Sequence, residues 1–135
     1  MATTLFHRYP LGDDLSMSKL VMSGLPVSVL RELAKALGMT PLGLAPIVNI
    51  TGKTLSRRLE AKGKLKQDES ERAARLMRVF SRAVVVLRDP DKARSWLNRP
   101  LRALAGQSPL SLVATEPGAR EVEQVLGRIE HGIFA

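Results

Sequence analysis

The chain has 135 residues, 44% of them hydrophobic and 25% charged, which excludes a large multidomain enzyme and a disordered or collagen-like chain. Lysine and arginine number 21 against 13 acidic residues, a formal charge of +8 that favours a polyanion such as nucleic acid or a membrane surface as partner. With no cysteine and only His7 and His131, at opposite ends, thiolate sites and Cys nucleophiles are excluded, and a metal site would need carboxylate ligands almost alone.

Residues 1–15 are expected to be a flexible N-terminal segment. From Pro26, apolar residues Val27, Leu30, Leu33, Ala34 and Leu37 recur at helical spacing until Gly38 stops them. Thr40 followed by Pro41 reads as a cap and first-turn proline, opening a short helix in which Leu42, Leu44, Ala45 and Val48 supply the apolar contacts. Pro46 falls beyond the first turn of that helix and predicts a kink. Asn49 and Ile50 bend the chain, and Thr51 caps a helix reaching about Lys62 with Leu55 and Leu59 turned inward.

The longest helix is expected from Asp68 or Ser70 to Asp89, with Ala73, Leu76, Met77, Phe80, Ala83, Val84 and Leu87 on one face and Arg72, Arg75 and Arg82 on the other. Val79, Val85 and Val86 lie off that stripe, which implies more than one packing neighbour. Pro90 opens a short helix carrying Ala93, Trp96 and Leu97, with Trp96 expected in the core. Ser108-Pro109 repeats the cap-then-proline start, and a last helix runs from about Pro117 to His131 with Val122, Val125, Leu126 and Ile129 inward. No stretch alternates as a strand does, so the predicted class is all-α.

Charge is unevenly placed. Residues 72–106 carry nine basic and two acidic side chains, whereas 107–135 carry two basic and four acidic ones. A positive middle and an acidic end suggest two different partners.

The segment TPLGLAPIVNITGKTLSRRLE, Thr40 to Glu60, fits two short helices about a tight bend. In such a pair the second helix enters the major groove, so Lys53, Thr54, Ser56, Arg57 and Arg58 are its candidate DNA contacts, with Lys62 and Lys64 extending the charge. Gly52-Lys53-Thr54 is not a phosphate loop, because Ile47 stands where the first glycine is needed and no strand precedes it. Carboxylate pairs at Asp13/Asp14, Asp89/Asp91 and Glu121/Glu123 read as caps or solvated faces, and a Ser-His-Asp relay would depend on terminal histidines, so the chain is expected not to be an enzyme and to use no cofactor. Ala83–Leu87, the longest strongly apolar run, is far short of the roughly 20 residues that cross a bilayer, and the N-terminus lacks a signal-peptide pattern. The expected location is cytoplasmic, without membrane contact.

Thr40, Leu44, Ala45, Asn49-Ile50-Thr51 and Thr54-Leu55-Ser56-Arg57-Arg58 together resemble the helix-turn-helix of Xre (lambda-repressor-like) regulators. Further on, Trp96-Leu97-Asn98, Pro100-Leu101, Leu104, Gly106, Ser108-Pro109-Leu110, Gly118, Val122, Leu126, Ile129 and Gly132 resemble the toxin-binding domain of Xre/MbcA/ParS antitoxins. The resemblance covers about residues 25–135 and implies a division into a helix-turn-helix region at 16–67 and a connecting helix plus toxin-binding domain at 68–135. It implies an antitoxin of a type II toxin-antitoxin pair. Its partner would be a RES-domain toxin that consumes NAD, and as a homodimer it would repress its own operon by binding operator DNA. The toxin contacts it implies are Arg120, Glu123, Arg128, His131, Gly132, Ile133, Phe134 and Ala135, with the apolar tail covering the toxin's NAD-binding cleft. The alternative is a stand-alone dimeric helix-turn-helix regulator with no toxin, and a third reading makes the basic middle a surface for an acidic protein.

Overall fold

A computed structural model describes residues 2–132, and among them the secondary structure is helical apart from a single isolated bridge between Pro26 and Lys64. The class is all-α, as expected. The N-terminal segment, expected as flexible, instead holds helix α1 (Ala2–His7), and helix α2 (Asp14–Ser23) begins within it. Leu5 is buried and Phe6 stacks edge-on against Phe80, with ring centroids 5.2 Å apart at 83°. Arg8 pairs with Glu32 and ties the same segment to α3 (Ser28–Leu37). Asp13 caps α2 by accepting the Ser16 amide at 3.2 Å.

Helix α3 begins two residues after Pro26. That proline is an extended residue beside Lys64 and not the first helical position. Gly38, at φ 73°, ends α3 in the left-handed region that a glycine enters without Cβ strain. The next helix is short and divided. A 3-10 turn, Pro41–Leu44, passes into α4 (Ala45–Val48), so Pro46 occupies the first turn of a new α-helix, where its missing amide costs little. The proline expected to kink one helix thus marks a junction between two helical forms. Leu42 is exposed, and Ile47 takes the inward place expected for it. Asn49, at φ 52°, makes the bend into α5 (Gly52–Ala61).

Helix α6 (Gln67–Leu87) is the axis of the molecule. Against it pack α2, α3 and α4, together with α7 (Pro90–Leu97) and α9 (Glu116–Glu130); α8 (Pro109–Leu112) bridges α4, α7 and α9. Ala73, Leu76, Met77, Val79, Phe80 and Ala83 are buried on α6 because neighbours cover it on several sides, whereas Val85 stays exposed. One continuous apolar cluster runs from Leu5 to Leu126, with Trp96 inside it.

Candidate functional site

The helix-turn-helix is held by its threonines. Thr40 accepts the Gly43 amide at 3.3 Å, and Thr51 accepts the Thr54 amide at 3.2 Å while donating its hydroxyl to Thr54 Oγ1 at 2.9 Å. Thr54 is therefore half-buried and engaged. Leu55 is buried, which turns Lys53, Ser56 and Arg57 to solvent on the outer face of α5. Arg58 does not join them. It is three residues from Leu55, on the inward flank, and its guanidinium pairs with Glu69, a carboxylate only 7% exposed. A buried carboxylate requires a cation and hydrogen bonds, and Glu69 also accepts the Lys66 amide at 2.9 Å. The sequence signal was the helical phase of Leu55 itself.

After α5 the chain is clamped to the segment before α3. The Val27 amide donates to Gly63 at 2.8 Å and the Leu65 amide to Leu25 at 2.7 Å, while the buried Ser70 hydroxyl accepts the Leu25 amide at 2.9 Å. Gly24 (φ 94°) permits this approach, since a Cβ there would stand 2.6 Å from the Leu65 carbonyl oxygen. Lys62 and Lys64 are exposed on this clamped segment and Leu65 is buried.

The acidic end does not form a separate negative surface. Arg78 on α6 bonds Glu116 at 3.0 Å and Glu123 at 2.9 Å on α9, Arg82 bonds Glu130 at 2.6 Å, and Arg75 donates to the Val113 and Ala114 carbonyls at 3.3 and 3.1 Å. Partial burial works against the Arg78 charge, but the two glutamates outweigh it and hold its pKa above the ordinary guanidinium value. The charge split read as two partner surfaces is thus largely an internal contact between α6 and α9. Glu123, expected at a toxin interface, is committed to Arg78. Arg120, His131 and Gly132 are exposed and Arg128 is half-buried, whereas Ile133, Phe134 and Ala135 lie outside the described residues. No helix among the described residues is long and apolar enough to cross a membrane.

Comparison with known proteins matches the same two regions. Residues 16–78 match the family model of the antitoxin Xre-like helix-turn-helix domain, and residues 82–132 match that of the antitoxin Xre/MbcA/ParS C-terminal toxin-binding domain. Antitoxin Xre of Photorhabdus laumondii is 37% identical over 131 residues, 94% of this chain and 86% of the relative. Antitoxin Xre of Yersinia enterocolitica is 42% identical over 95 residues, covering 67% of this chain and 64% of that protein. A Sphingobium protein named Prs ADP-ribosylating antitoxin is 25% identical over 124 residues, 85% of this chain and 78% of its own length. Among solved structures, the crystal structure of the M. tuberculosis MbcT-MbcA toxin-antitoxin complex contains a chain that shares the fold, with a TM-score of 0.58 at 21% identity over 81% of this chain and 96% of that one.

Proposed function

Because this chain belongs to the antitoxin Xre family, whose role is that of an antitoxin and not of an enzyme, we propose that it neutralises a RES-domain, NAD-consuming toxin as the antitoxin of a type II pair and represses its own operon as a homodimer. The observation that carries the reading is the mounting of α9. Val122, Val125 and Leu126 are buried and Glu116, Glu123 and Glu130 are each tied to an α6 arginine, so the helix is packed against the body along its length. Arg120, Arg128, His131 and Gly132 are at least partly exposed on and just after α9, and Ile133, Phe134 and Ala135 follow them in the sequence. An apolar tail on a rigid support enters a cleft without the ordering cost a loose peptide would pay. Inhibition on this reading is steric: the tail excludes NAD and this chain performs no chemistry.

The DNA half of the reading rests on Lys53, Thr54, Ser56, Arg57, Lys62 and Lys64, with Arg58 reassigned to positioning α5 through Glu69. Pairing of two copies follows from the two half-sites a helix-turn-helix regulator reads, about one helical turn apart. The test titrates NAD consumption by the toxin encoded beside this gene with the full chain and with a chain lacking Gly132–Ala135. Full-length protein should abolish turnover and the truncated chain should bind without inhibiting. Equal inhibition by both would remove the tail from the mechanism, and failure of both to bind would remove the toxin from the reading.

A further inference from the structure

Of the nine basic residues between 72 and 106, Arg72, Arg75, Arg78, Arg82 and Arg94 are in ion pairs with residues of this chain. Arg88, Lys92, Arg99 and Arg102 are exposed and have no ion-pair partner among the described residues. They divide by position. Arg88 caps the end of α6 and Lys92 is in the first turn of α7, whereas Arg99 and Arg102 are on the connector between α7 and α8.

That connector is fixed at both ends beside the first helix of the helix-turn-helix pair. At its start, Asn98 Nδ2 donates to the Leu37 carbonyl at 3.3 Å, and Gly38 stands against the Arg94 side chain, two residues before the Thr40 cap. At its end, α8 packs on α4, and Ser108, Leu110 and Ser111 line a cleft of about 220 Å³ with Pro46 and Ile47. Both ends of the connector are thus held within a few residues of the 40–47 segment, while its Arg102–Leu104 turn packs on α9, and it carries two arginines that have no ion-pair partner among the described residues. An acidic residue is absent from 99–107, so nothing on the connector offsets that charge.

We propose that the DNA-contacting surface continues onto the C-terminal half, with Arg99 and Arg102 gripping backbone phosphates beside the helix-turn-helix. The connector thus serves DNA while the neighbouring α9 serves the toxin. This rests on the DNA-binding reading above. The sign and exposure of the two guanidinium groups suit a phosphate backbone, and their fixed backbone removes the ordering cost of a flexible basic arm.

The test is fluorescence anisotropy of the full chain on a random-sequence 30-base-pair duplex across a salt series, comparing R99A/R102A, R88A/K92A and K53A/R57A. Each phosphate left without its arginine lowers the log-log salt slope by about 0.9, so R99A/R102A should lower it by about 1.8 while R88A/K92A leaves it unchanged. The K53A/R57A variant reports on the parent reading: if it binds as tightly as wild type, the helix-turn-helix does not hold DNA at all. If K53A/R57A weakens binding and R99A/R102A does not, the extension alone is overturned. Equal weakening in R99A/R102A and R88A/K92A would mean a bulk charge effect and also overturns it, as would failure of R99A/R102A to inhibit the toxin with an intact salt slope. Thermal unfolding of each variant separates weaker DNA binding from a damaged fold.

Discussion

Two glycines of α9 make opposite predictions for the same substitution. At Gly118 a Cβ would overlap the Leu112 carbonyl oxygen, a backbone atom that cannot turn away, so Gly118→Ala must push α8 and α9 apart. The cost is that of forcing atoms into filled space, about 1–3 kcal/mol or more. At Gly127 a Cβ meets nothing within 4 Å, and the residue is in the helix interior. Gly127→Ala should stabilise by about 0.5–1 kcal/mol, because alanine loses less backbone freedom there. Thermal melts of the two variants check this pair: a lowered Tm for the first and a Tm raised by a few degrees for the second. Equal effects would mean that helix propensity, and not the Leu112 carbonyl, governs both sites. Gly118 was legible only as part of a resemblance, because the carbonyl that requires it belongs to Leu112, the last residue of the preceding helix α8.

At the scale of elements, cap and proline signals were the most legible part of the fold, since they depend on neighbours two or three residues away. Thr40, Thr51, Asp89 and Ser108 all accept the amides their positions imply. Helix α2 was missed because Leu15, Met17, Leu20, Val21 and Met22 surround it and leave no single stripe, while Met17 is its only buried side chain. Its start should respond to acid. The Ser16 hydroxyl and amide both donate to Asp13 and hold that carboxyl below the ordinary carboxylate range. A lowered folded pKa means the cap is fully effective above the unfolded value and is lost as pH falls through the folded one. The Ser16 amide resonance should therefore follow Asp13 in an NMR titration, and Asp13→Ala should abolish that response. The α6–α9 contact was equally hidden, since Arg78 finds Glu123 across 45 residues. Arg78 and Glu116 are 42% and 39% exposed and Glu123 is 31% exposed, so water screens the pairs and Arg78→Ala should cost about 1 kcal/mol at most. In 1 M salt, where charges are screened within about 3 Å, that difference should shrink. A cost unchanged by salt would assign it to packing of the arginine stem instead.

For the whole molecule, two family models meet between residues 78 and 82, inside a helix that runs unbroken from Gln67 to Leu87. The division at residue 67 that the resemblance implies falls instead at the start of this helix. Packing runs across the junction of the two models. Val79 and Phe80 sit at the junction of the two matched regions, and both are buried in the cluster that joins Leu5 and Leu33 to Leu97 and Leu126. Cutting the chain at the junction would expose Phe80 and strip α7 and α9 from α6, so neither half should retain a closed core. We therefore expect a single cooperative unfolding transition. Trp96 fluorescence, which reports from α7, and far-UV circular dichroism, which reports every helix, should trace one curve in denaturant. Separate midpoints for the two probes would mean that α6 frays at its middle and that the two matched regions fold as independent units. A single midpoint has a functional consequence: strain introduced at α9 by a bound partner would be carried through α6 to α4 and α5 as a shift of one packed body, because packed interiors transmit displacement instead of absorbing it.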